Sequence, residues 1–158
     1  MQRHFLYLPF ALQIFGVMAI SMIVPSLYAL VTEQFFEARM FFYTGLLGVT
    51  FLALIGLARS NQTSRETARD QMLSLALIFV FLPVFLAIPE YSVIRTTSFL
   101  NAYLDMVSAL TTTGFEVFPA SRLSDSLHLW RALVGWMGGG FNLGGCGGNF
   151  SAVEPGRI

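Results

Sequence analysis

Leu104–Phe115 reads L-D-M-V-S-A-L-T-T-T-G-F. A short amphipathic run ends abruptly in three threonines and a glycine, between apolar segments that are much longer. Two readings fit these residues by themselves. A glycine just past a helix end is an ordinary C-cap in soluble proteins. The same residues also suit an ion-coordinating loop at membrane depth, where non-helical backbone is tolerated only if it is buried in protein or lines a water-filled cavity. The rest of the chain decides between them.

The 158 residues are 55% hydrophobic, include 16 Phe and have a mean hydropathy of +0.67. Charged residues make up 11%, against roughly 25% in an ordinary soluble domain. The nine basic residues are all arginine and balance nine acidic ones, so no net charge draws the chain to nucleic acid. One cysteine, Cys146, allows neither an internal disulfide nor a cysteine-based metal cluster. The composition is that of a membrane protein.

From Phe5 to Thr32 no charged residue occurs. That run exceeds the roughly 20 residues a helix needs to cross the hydrocarbon, and also the roughly 7–15 of a signal-peptide core. It reads as a retained membrane helix kinked near Pro25. Met40–Ala58 forms a second uncharged span, in which Gly45, Gly48 and Gly56 favour close helix packing. After the hydrophilic Arg59–Asp70, Gln71–Pro89 makes a third span, with Pro83 as a kink and Pro89 as its end. Arg59, Arg65 and Arg69 crowd the second connection and Arg3 lies at the start, so the positive-inside rule places the N-terminus and that connection in the cytoplasm. Glu90–Thr96 then emerges on the outer side.

The fourth apolar stretch, Thr97–Leu110, is about 21 Å long as a helix, too short to cross. It contains Asn101 and Asp105, and Thr97 or Ser98 is its expected N-cap. A polar segment through Ser126 follows Phe115. Leu127–Phe141 is then apolar again, apart from His128 and Arg131. The order is outward helix, half-length helix, T-T-T-G turn and returning helix. Such an order brings backbone carbonyls to an ion path, where their oxygens replace a cation's hydration shell without a fixed charge that would trap it. Thr111, Thr112 and Thr113 offer carbonyls and hydroxyls, and Gly114 takes backbone angles closed to other residues. The helix's negative dipole end adds negative potential beside them, and Asp105 is expected either to orient the loop or to add to that potential. An arginine on a membrane helix is expensive, so Arg131 is expected either to pair near the outer mouth or to snorkel.

Enzymatic alternatives find little support. No phosphate-binding loop exists without lysine. The threonines lack the adjacent base that nucleophilic catalysis needs. His4 and His128 stand far apart with no ligand partners beside them, so the only metal expected is the transported ion itself, and no cofactor is expected.

N-A-Y-L-D-M-V-S-A-L-T-T-T-G-F (Asn101–Phe115) followed by L-W-R-A-L-V-G-W-M-G-G (Leu129–Gly139), behind a span ending A-I-P, resembles the Trk/Ktr/HKT superfamily of potassium transporters, and within it the bacterial Trk-type uptake subunits. The resemblance covers the chain from its start to about Phe141. It implies an all-α integral membrane fold. Residues 1–69 would hold two leading membrane helices and a cytoplasmic loop. Residues 70–141 would form a membrane–pore-loop–membrane unit: outward helix 71–89, pore helix 97–110, filter 111–115 and the start of a returning helix at 127–141. It further implies that Thr111–Gly114 coordinate potassium as the first of four filter turns, with Asp105 and Arg131 in support. The implied setting is the inner (plasma) membrane, with a cytoplasmic nucleotide-binding regulatory ring and a second transporter protomer as partners.

One departure stands out. Residues 142–158 are polar and glycine-rich where the family continues a membrane helix, so the last helix is expected to be truncated and the chain to be an incomplete, inactive fragment. A frameshift accounts for this. With permitted codons, removing one nucleotide just after Phe141 turns the tail into I-W-V-A-A-A-A-I-L-A-P-L-N-L-G-G. A natural disordered tail is the alternative. Two other readings of the whole chain stand beside transport: a small membrane scaffold without conduction, and a one-unit channel built from four copies.

Overall fold

A computed structural model describes residues 10–59 and 68–147, with side chains at 12–58 and 79–140. The basic residues Arg3 and Arg65, on which the sidedness expectation partly rests, lie outside the described residues, as do 148–158 of the tail.

All regular structure among the described residues is helical. The first apolar run forms α1 (Phe10–Ser21) and α2 (Ile23–Val31), which meet at Met22, three residues before the kink expected at Pro25. α3 spans Phe35–Arg59, α4 Ala68–Ile94, α5 Phe99–Leu110 and α6 Asp125–Gly147, with a 3-10 turn at Ala120–Arg122. Among the described residues two stretches, Leu12–Val31 and Phe35–Ala58, are long and apolar enough to cross a membrane. Only 22% of the α3 stretch is buried. Leu46, Leu47, Phe51, Leu54 and Leu57 all face outward, an arrangement that water would penalise and hydrocarbon would not.

The helices close around one core. Met18 and Met22 from the first pair, Phe41 of α3, Leu82 and Leu86 of α4, Met106 and Leu110 of α5, and Leu127, Trp130 and Val134 of α6 form it. Close approach is bought by small residues. A Cβ on Gly45 would stand 3.0 Å from the Ala19 carbonyl oxygen, and one on Gly48 would stand 2.9 Å from the Ala19 Cβ, so both glycines serve the packing that the sequence suggests. A Cβ on Gly56 would meet nothing within 4 Å among the described residues, so no close packing there depends on it.

Pro89 does not end the third apolar helix: α4 continues through both Pro83 and Pro89 to Ile94. A proline removes the donor to the carbonyl four residues back and opens the preceding turn, and such a helix is tolerated where neighbouring elements bond the backbone of that turn. Here neighbouring helices bond the next carbonyl on, three residues before each proline. Tyr103 Oη of α5 donates to the Val80 carbonyl, three residues before Pro83, at 3.2 Å. Trp130 Nε1 of α6 donates to the Leu86 carbonyl, three residues before Pro89, at 3.3 Å.

Three connections converge at one end of the bundle. Glu37, in the first turn of α3, accepts from Ser124 Oγ at 2.7 Å and from Ser126 Oγ in a shorter contact. Arg95, just past α4, lays its guanidinium 4.2 Å from the centre of the Phe36 ring. Arg122 Nη2 donates to Thr96 Oγ1 at 2.7 Å. Helices that alternate in direction must bring the α2–α3, α4–α5 and pre-α6 connections to the same side, and these contacts do so.

Candidate ion-coordination site

The N-terminus of α5 is capped by Ser98, whose Oγ accepts from the Asn101 N–H at 3.4 Å. Its other end is more unusual. Thr112 N donates to the Ala109 carbonyl at 3.1 Å and Thr113 N to the Ser108 carbonyl at 3.0 Å. These are the two bonds of a Schellman cap, whose left-handed position is usually glycine. Here that position is Thr112, with φ +56°, and the glycine comes two residues later, as Gly114 with φ +75°. A β-branched residue in the left-handed region is a genuine outlier. The expectation of an ordinary glycine C-cap is therefore met only in part: the cap bonds form, but on a threonine, and the glycine serves a second reversal.

Side chains fix this double reversal. Thr111 Oγ1 donates to the Val107 carbonyl at 2.7 Å and lies 2.8 Å from Thr113 Oγ1. Ser108 Oγ donates to the Phe115 carbonyl at 2.8 Å, and the Val117 N–H donates to Asp105 Oδ1 at 3.2 Å. Asp105 and Ser108 stand three residues apart, on one face of α5. Together they hold the chain as it leaves the turn. Thr112, Thr113, Gly114 and Phe115 remain exposed.

α6 backs the turn at backbone distance. A Cβ on Gly138 would drive into the Leu110 carbonyl oxygen and stand 2.8 Å from its carbon and 3.0 Å from the Leu110 Cα. Gly139 faces the Thr112 methyl at the corresponding distance of 3.6 Å. Two turns earlier on α6, Arg131 Nε lies 2.8 Å from Asp105 Oδ2, a close charge contact without hydrogen-bond alignment. Asp105 is fully buried and Arg131 is 16% exposed. Between α5 and α6 an open groove of about 490 Å³ runs past Ser108, Thr112, Gly114, Arg131 and Gly135 to the exposed Trp136.

Of the residues singled out from sequence, the structure joins Thr111, Thr112, Thr113 and Gly114 in one turn and pairs Asp105 with Arg131 behind it. Three contributors escaped the sequence reading. Ser108 was available from its spacing to Asp105, and Gly138 from the paired glycines after Trp136. Glu90, fully buried beside Asp105 and Arg131, looked like the first residue of a loop because it follows Pro89. Among the described residues no group of three or more histidine, cysteine or acidic side chains is arranged to hold a metal ion.

No family model and no solved structure matches the chain. Over 62 residues, 39% of its length, it is 40% identical to the Trk system potassium uptake protein TrkI of Halomonas elongata. The chain covers 11% of that protein, a small part of the relative's length. Over the matched region, the chain is related to Trk-type potassium transporters.

Proposed function

We propose that this chain supplies one potassium-coordinating turn of a Trk-type transport pathway, with backbone oxygens of Thr111, Thr112, Thr113 and Gly114 as ligands. The observation that carries the reading is the strained reversal at the carboxyl end of α5. A left-handed threonine costs on the order of 1–3 kcal/mol and persists only where its surroundings over-determine it. Here Asp105, Ser108 and the α6 glycines do so, around residues that stay exposed. The carboxyl end of α5 adds a partial negative charge beside the turn. The relative's potassium uptake supports the choice of ion.

One turn cannot surround an ion, because coordination needs oxygens from every side. On this reading the chain by itself transports no potassium, and further turns come from other polypeptide or other copies. The reading places α1–α2, α3, α4 and α6 across the inner membrane with the N-terminus in the cytoplasm. A nucleotide-binding ring and a second protomer would be the partners.

Two measurements test it. Expression of the 158-residue chain in a strain without potassium uptake should leave growth at low potassium unrestored. A chimera joining residues 1–141 to the part of the Halomonas protein that follows its matched segment should restore growth, and Gly114→Ser should abolish that growth or change its ion preference. Restored growth that is indifferent to Gly114→Ser would remove the turn from the ion path.

A further inference from the structure

Behind the turn, Glu90 of α4, Asp105 of α5 and Arg131 of α6 meet in a space with almost no access to solvent. Glu90 and Asp105 are each 0% exposed. Asp105 Oδ1 is occupied by the Val117 N–H, and its Oδ2 faces Arg131. Among the described residues neither oxygen of Glu90 has a hydrogen-bond donor, although the group lies within charge and side-chain hydrogen-bonding reach of Asp105 and within charge reach of Arg131. Counted as carboxylates, the two acids present only acceptors to one another, and with one guanidinium they leave an uncompensated buried negative charge. Either defect costs several kcal/mol in a dry site. A single proton removes both, because it turns one acceptor into a donor and balances the charges. Asp105 already accepts from an amide and contacts the arginine, so it is the natural anion, and Glu90 is left to hold the proton.

We propose that Glu90 is a positioning residue that stays protonated and donates to Asp105, closing a three-helix clamp from α4 through Asp105 to Arg131. The clamp sets the direction of the Asp105 carboxylate and hence the place of Val117, where the chain leaves the turn. The inference depends on the proposed function only in calling that turn an ion site; the clamp itself is a matter of fold.

The full 158-residue chain in lipid vesicles near neutral pH is the object to test. Its infrared spectrum should contain the carbonyl stretch of a protonated carboxyl group. Carboxyl-13C glutamate should shift that band, and Glu90→Gln should abolish it. Gln can still donate to Asp105, so Glu90→Gln should keep the thermal midpoint within a few degrees of the unmodified chain, whereas Glu90→Ala should lower it well beyond that. Absence of the band, or a band that survives Glu90→Gln, overturns the proposal. If Glu90→Gln fails to assemble, the labelled unmodified chain still decides, because a band that the glutamate label does not shift also overturns it. Neither readout involves potassium, so failure here leaves the transport reading untouched, and failure of the transport reading leaves this band in place.

Discussion

α3 and α5 are both apolar helices, yet they handle their polar groups in opposite ways. Beyond Glu37 in its first turn, α3 keeps its hydroxyls to itself: Thr44 and Thr50 donate to carbonyls four residues back, and most of its large apolar side chains point outward. α5 buries Asp105 and Ser108 and directs both at chain that belongs to other elements. The outer surface of α3 needs only a hydrocarbon solvent, whereas the end of α5 needs particular neighbours. Substitutions should therefore be forgiven along much of α3 and punished around α5, and the contrast can be broken experimentally.

Asp105→Ala should show the largest effect. It frees the Val117 N–H, leaves Arg131 without its anion and removes the partner of Glu90. Taking one member from a buried ion pair costs about 3–5 kcal/mol. The thermal midpoint of the purified chain in detergent should fall steeply, with helix content followed by circular dichroism. A variant as stable as the unmodified chain would mean that the pair contributes nothing and that α5 is no more tethered than α3.

Gly138→Ala comes next. An added methyl meets backbone of Leu110 rather than the end of a flexible side chain, so α6 must retreat from the turn. Overpacking of this kind costs about 1–3 kcal/mol, and an immovable obstacle favours the upper end. The midpoint should drop by an amount between those of Asp105→Ala and a surface change. A neutral result would show that α5 and α6 can slide apart without loss.

Much of this contrast was legible from sequence. Charge-free runs of the length a bilayer crossing needs marked α1–α2 and α3. The T-T-T-G run marked the turn, because threonine and glycine together bring oxygen-rich, unusual backbone. What sequence did not show depends on contacts between distant residues. Pro89 read as a stop because nothing nearby reveals that Trp130, 44 residues beyond Leu86, donates to the Leu86 carbonyl in the turn before the proline. Glu90 read as a loop residue because a charge after a proline usually marks the surface; only the packing of α4, α5 and α6 buries it. The cap's left-handed position fell on Thr112 because the cap counts from Leu110, the last residue of α5 and the end read from sequence, whereas glycine is the residue from which a left-handed cap is expected.

The smallest effects make the sharpest comparison, because the same chemical change should carry opposite signs at the two helices. Thr112→Gly removes a side chain from a residue at φ +56° and should stabilise the chain by about 1 kcal/mol through relief of strain, despite the added freedom of the unfolded state. On α3 the reverse exchange should help. Gly56→Ala adds a methyl to a helical residue with nothing within 4 Å and should also gain about 1 kcal/mol, from helix propensity. Both midpoints should rise by a few degrees. A fall for Thr112→Gly alone would mean that the Thr112 methyl against Gly139 outweighs the strain, and the turn would then be held by packing rather than against it. In the chimera the two variants should separate again: Gly56→Ala leaves ion preference unchanged, while Thr112→Gly loosens the turn and lowers discrimination between potassium and sodium.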